Sequence, residues 1–177
     1  MQGGITMRLF HVSEESDISI FNPRTPIRVD LDKNIPLVWA IEEKCLPNFL
    51  TPRDCPRIGY YIGENATKED INNFFTSKGC NHVVVVENGW FQKILNTKLY
   101  LYEFDPSNFQ LQDKIAGYYV SKTSETPIGK FEISNLFEEL FNRNVELRVV
   151  DNLWNFSNTI KNSSLCWSLC RMNNASK

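Results

Sequence analysis

The chain has 177 residues, of which 42% are hydrophobic and 12% aromatic, enough apolar volume to bury a core without disulfide or metal staples. Nineteen Lys and Arg against 21 Asp and Glu leave a net charge of −2, which excludes a general positive field for nucleic acid or acidic membranes. An anion site therefore has to be local. No apolar run approaches the roughly 20 residues of a membrane span, and the N-terminus lacks the charged-then-apolar pattern of a secretory signal. A bacterial, cytoplasmic protein is expected.

The five cysteines are odd in number and scattered, which points to reduced thiols. With only His11 and His82 in the chain, and no CxxC pair, no metal site is expected.

Residues 1–6 read as a flexible leader before Met7, and residues 7–174 as a single globular α+β domain. Met7–Val12 is strand-like by residue type, and Ser13–Ser16 ends it with turn chemistry. Residues 17–36 carry three prolines and scattered apolar side chains, an irregular loop anchored by Ile18, Ile20 and Phe21. Leu37–Ile41 is a strand, and Glu42–Leu46 a short helix broken near Pro47. Another strand follows at Arg57–Ile62. Thr67 caps a helix with Ile71, Phe74 and Phe75 on one face, stopped by Gly79. His82–Glu87 is an apolar strand buried on both faces, followed by a turn at Asn88–Gly89 and a short helix at Trp90–Leu95.

Lys98–Phe104 returns as a strand into a turn at Asp105–Asn108. Strands at Gly117–Ser121 and Gly129–Ile133 precede a helix whose Leu136, Phe137, Leu140 and Phe141 face inward. Val145–Val150 alternates as a strand, and Asn152 caps a last helix carrying Leu153, Trp154, Phe156 and Ile160. Residues 165–172 fit either helix or strand, and 173–177 are expected to fray. Strands mixed with short helices, without regular βαβ periodicity, predict a mostly antiparallel sheet flanked by short helices.

The sharpest local feature is Pro52-Arg53-Asp54-Cys55-Pro56-Arg57. Two prolines stiffen the loop, and two guanidinium groups on such a mount suit a phosphate or carboxylate. The same arginines serve equally well as structural partners of nearby acids. Cys55, beside both arginines, is the one candidate for a thiol of lowered pKa.

His11 closes the first strand beside Ser13, where an imidazole can hold a ribose hydroxyl or pass a proton, or else bond a backbone carbonyl as a core histidine. Tyr118 and Tyr119 alternate in direction, so one of them can present a flat face to a ring; ordinary aromatic packing accounts for them too. No GxGxxG, P-loop, HExxH or GxSxG motif occurs. Basic residues do not alternate with aromatics, so a nucleic-acid footprint is lacking.

The phrases Leu9–Glu15 (LFHVSEE), Leu46–Arg57 (LPNFLTPRDCPR) and Gly117–Ser121 (GYYVS) together resemble a family of functionally uncharacterised bacterial proteins, over Met7 to Asn174. In element order the chain is also similar to ADP-ribosyltransferase-like proteins. That likeness implies His11 and Ser13 in the opening strand, Trp39 in the second element and Glu125 as the late acid, and it departs at Val12, where a small residue is usual. What it implies is a cleft for a small phosphorylated, nucleotide-like ligand of the NAD or ADP-ribose type. Within it His11 and Glu125 are the catalytic candidates and Ser13, Arg53, Arg57, Tyr118 and Tyr119 bind. A non-enzymatic interaction module built on the arginine loop is the alternative.

Overall fold

A computed structural model describes residues 7–27 and 31–177. The leader expected at residues 1–6 lies outside them. In chain order the elements are β1 (Leu9–Ser13), β2 (Val38–Glu42), a 3-10 turn at Glu43–Phe49, β3 (Arg57–Tyr61), α1 (Lys68–Phe74), β4 (His82–Glu87), α2 (Phe91–Asn96) and β5 (Leu99–Phe104). They continue with β6 (Gln110–Asp113), β7 (Tyr118–Ser121), β8 (Gly129–Ile133), α3 (Leu136–Asn142), β9 (Val145–Val150), α4 (Leu153–Ile160) and β10 (Cys166–Cys170). The chain is α+β, with mostly antiparallel pairing and helices of eight residues or fewer. Its described residues group into two compact units, one running to Leu46 and resuming over Tyr100–Glu132, the other comprising Pro47–Leu99 and Ile133–Lys177.

The first unit is organised by a six-stranded sheet in the order β6-β7-β2-β1-β5-β8. β1 pairs with β5 along its whole length, Leu9 opposite Phe104 through Ser13 opposite Tyr100, but with β2 only at Leu9–Glu42 and Phe10–Ile41. Because side chains alternate, one face carries Leu9, Val38, Ala40 and Phe104, which bury together with Phe109 and take Phe21 and Tyr119 against them. The loop after β1 is irregular as expected, and Phe21 is its main anchor, exchanging both main-chain hydrogen bonds with Glu125 at 2.8 and 2.9 Å. Ile18 is half-buried, but Ile20 is 49% exposed and anchors nothing.

No sequence pattern marks β6. Gln110-Leu111-Gln112-Asp113 is too polar and exposed to show a buried face, and it is a strand only because β7 offers it a pairing edge. Gly117 precedes β7 with φ +68°, and a Cβ there would stand 2.7 Å from Cys45 Sγ, so glycine is required twice over.

The second unit holds a four-stranded sheet, β10-β3-β4-β9. β3 lies antiparallel to both β10 and β4, and β4 runs parallel to β9. Every residue of β4 is buried, as its continuous Val run predicts. Ile58, Tyr60, Val83 and Val85 form one core with Phe74, Leu153, Ile160 and Leu165. Thr67 caps α1 by accepting from Asp70 N–H, but the helix ends at Phe74 rather than Gly79, its C-cap Phe75 already extended.

Phe141 does not face inward. It is 80% exposed while Leu136 and Leu140 are buried, because the buried stripe of so short a helix is only two residues wide. Pro47 lies inside the 3-10 turn rather than ending it. The ambiguous segment resolves as a strand, and the C-terminal residues are tied down instead of fraying. Ala175 is buried, and Ser176 donates N–H and Oγ–H to the buried Glu87 carboxylate at 3.0 Å.

Candidate functional site

Register alone gathers several of the singled-out residues on one face of the six-stranded sheet. His11 and Ser13 share a face with Leu9, while the pairs Ala40–Tyr119 and Val38–Ser121 place Tyr119 and Ser121 on that face too. Tyr118 points the other way, packing edge-on against Trp39 at 5.3 Å.

At His11 the short β1–β2 pairing leaves the Trp39 carbonyl without a ladder partner on β1, and the imidazole fills in, Nδ1 lying 3.0 Å from Trp39 O. A carbonyl can only accept, so Nδ1 carries the proton in this contact. The ring also packs on Phe21, centroids 4.8 Å apart. Ser13 Oγ accepts from Glu15 N–H at 3.0 Å, fixing the turn after β1.

Glu125 is the other end of this arrangement. Its main chain is bridged to Phe21, and its carboxylate, 6% exposed, is held by neutral donors: Ser121 Oγ at 2.5 Å, Thr123 Oγ1 at 2.9 Å and Asn108 Nδ2 at 3.4 Å. Phe21 thus touches His11 with its ring and Glu125 with its backbone. Three of the carboxylate's donors, with Gln110, Val120 and Lys122, line a cavity of about 160 Å³. Pockets for whole drug-sized ligands run from about 300 to 1,000 Å³, so this one is sized for a fragment. The sequence pairs Glu125 with the hydroxyl of Ser121 as a candidate constellation but gives no sign of Thr123 or Asn108, although Ser121, Thr123 and Glu125 stand two residues apart, the spacing that puts side chains on one side of an extended chain. Tyr119 lies nearby on the sheet, and burial, reinforced by the charge of Glu42, raises its phenol above the ordinary tyrosine range.

The arginine loop belongs to the second unit. Arg53 is exposed, whereas Arg57 is 6% exposed. Arg57 donates from Nε to Asn48 O at 2.6 Å and from Nη1 to Cys55 O at 3.0 Å, with its guanidinium over the Phe49 ring. Among the described residues no carboxylate comes within 4.0 Å of it. It ties the end of the 3-10 turn to the proline loop, a cation against carbonyl oxygens. Asn48 is itself fixed, its Oδ1 2.7 Å from His82 Nε2 and lodged where Gly59 has no side chain. Cys55 is buried, and burial, opposed more weakly by Arg57 and Lys93, pushes its thiol up to about 12. That is the reverse of the lowered value expected from its neighbours in sequence, since desolvation outweighs two cations.

The class these observations define is an α+β protein with a buried, hydroxyl-held carboxylate and an imidazole on a mostly antiparallel sheet. The chain belongs to DUF6886, a family of unknown function whose model matches residues 10–175. No curated protein and no solved structure matches it.

Proposed function

We propose that the first unit binds a nucleotide-like ligand of the NAD or ADP-ribose type, as ADP-ribosyltransferase-like proteins do, taking a sugar portion beside Glu125. The observation that carries this is the Glu125 carboxylate held by Ser121, Thr123 and Asn108, three donors that themselves line a fragment-sized cavity. A carboxylate accepts from sugar hydroxyls and, when ionised, favours positive charge developing at a sugar carbon. Lys122 at the cavity wall supplies a cation for a phosphate, and His11 packs on the same Phe21 whose backbone bridges Glu125. Tyr119 is on the same face, while Tyr118 serves packing with Trp39.

The arginine loop has a different part in this proposal. Arg57 spends its donors on Asn48 and Cys55 carbonyls, which favours a framework role.

The test is a melting series of the whole chain and of Glu125→Gln with NAD, ADP-ribose, AMP and inorganic phosphate. A ligand at about 100 times its Kd adds about 2.7 kcal/mol to stability, a midpoint rise of roughly 5–10 °C for a chain of this length. The rise is expected with NAD or ADP-ribose, and is expected to shrink in Glu125→Gln. Unmoved midpoints with all four compounds, or equal shifts in both proteins, would remove the proposal.

A further inference from the structure

The face of the six-stranded sheet opposite Leu9 and Tyr119 carries a second group of side chains next to the cavity. Trp39 stands directly opposite Val120, and Val120 opposite Gln110, so the three lie side by side across β2, β7 and β6. Tyr118 shares that face and sets its ring perpendicular to the indole, centroids 5.3 Å apart. The cavity at the end of β7 takes its lining from both faces, Ser121 from the Tyr119 side and Val120 and Gln110 from the Trp39 side. Directly paired residues have Cβ atoms about 5 Å apart, so the indole starts one such step from the cavity wall at Val120.

Two observations separate Trp39 from an ordinary core aromatic. It is only half-buried, whereas Val38 and Ala40 on either side of it are buried. Its indole N–H makes no hydrogen bond among the described residues and is not sealed from solvent, although a buried tryptophan usually pairs this group. Beside it Gln110 and Lys122 are exposed, an amide and a cation at the same cavity. A flat ring with an open donor, an amide that both donates and accepts, and an ammonium match the parts of a nucleotide: a planar base, its polar edge and its phosphate.

We infer that Trp39 is the platform on which the planar base of the bound nucleotide stacks, held in place by Tyr118, with Gln110 at the base edge. This rests on the sugar site proposed beside Glu125 and names what adjoins it: a base-bearing nucleotide, not a bare sugar phosphate. Stacking on an aromatic side chain tolerates any base, so the platform selects for a ring and not for one particular ring.

The test is titration with ADP-ribose and with ribose 5-phosphate, followed by tryptophan emission and by calorimetry, on the full chain and on Trp39→Leu, Trp39→Phe and Glu125→Gln. ADP-ribose is expected to quench part of the wild-type emission, and ribose 5-phosphate, which has no base to stack, to leave it unchanged. Trp39→Leu should weaken ADP-ribose binding by about tenfold and leave ribose 5-phosphate as in the wild type. Trp39→Phe keeps a ring and should retain most of the affinity. Circular dichroism and melting check the fold of each variant, and the wild-type quench depends on no variant at all. ADP-ribose bound equally by wild type and Trp39→Leu, or bound without a change in emission, overturns the platform and leaves the Glu125 site standing. Binding weakened in Trp39→Leu but not in Glu125→Gln keeps the platform and removes the sugar site, and a wild type that binds no ADP-ribose removes both.

Discussion

Truncation by Arg57→Ala strips two buried main-chain acceptors, Asn48 O and Cys55 O, of the donors that reach them at 2.6 and 3.0 Å. Hydrogen bonds from a charged donor contribute about 1.5–3 kcal/mol each, and an unsatisfied buried acceptor costs about 1–3 kcal/mol. Removing a buried cation with no carboxylate beside it recovers part of this, since its desolvation is no longer needed. A net loss of about 3 kcal/mol is expected, which for a chain of this length lowers the melting midpoint by about 6–12 °C. Arg57→Lys should recover little, because one ammonium cannot reach both carbonyls as a fork does. Arg53→Ala, at an exposed position, is expected to stay within about 0.5 kcal/mol of wild type. The assay is thermal or urea unfolding followed by circular dichroism. A midpoint for Arg57→Ala within about 2 °C of wild type would show that the two carbonyls find other donors and that the clamp is not structural.

Gly59→Ala places a Cβ 1.7 Å from Asn48 Oδ1, forcing out the amide that holds His82; overpacking and the lost hydrogen bond together predict about 2–4 kcal/mol, read by the same unfolding curves. The Arg8 hydrogen bond holds Glu103 below its ordinary carboxyl range, so this pair adds stability above the unfolded pKa of about 4.3 and loses it as pH falls through the lower folded value. Because Arg8 is 40% exposed the effect is under about 1 kcal/mol, and Glu103→Gln should flatten the acid limb of a pH–stability curve without moving the neutral end much; an unchanged acid limb refutes the pairing. Cys55, with its thiol pushed up to about 12 and its Sγ 3.5 Å from Pro56 O, should be alkylated last of the five cysteines at neutral pH, as intact-mass and peptide mapping would reveal; rapid labelling there contradicts its burial.

Much of the local structure was legible in the residues. Thr67 and Asn152 cap their helices because a short polar side chain can accept from the first-turn N–H groups, and the Val run of β4 is buried because nothing in it is polar. Asp105 folds back onto Ser107 N–H for the same local reason. These outcomes depend on neighbours within a few positions, so the chain determines them by itself.

What tertiary structure alone decided lies in contacts across long separations. The polar β6 forms against β7, and the terminal residues are held by Glu87, Asn152 and Asp54 from distant positions. The strands divide between two sheets, with the parallel β4–β9 pair bringing together residues more than sixty positions apart. Most tellingly, burial decides between the two readings the letters leave open at Arg57, whose guanidinium turns to carbonyls, and raises the Cys55 thiol, because desolvation is a property of the folded surroundings that adjacent letters do not encode. His11 and Glu125, 114 positions apart in the chain, come to flank Phe21 for the same kind of reason, the pairing of β1, β2 and β7 in one sheet.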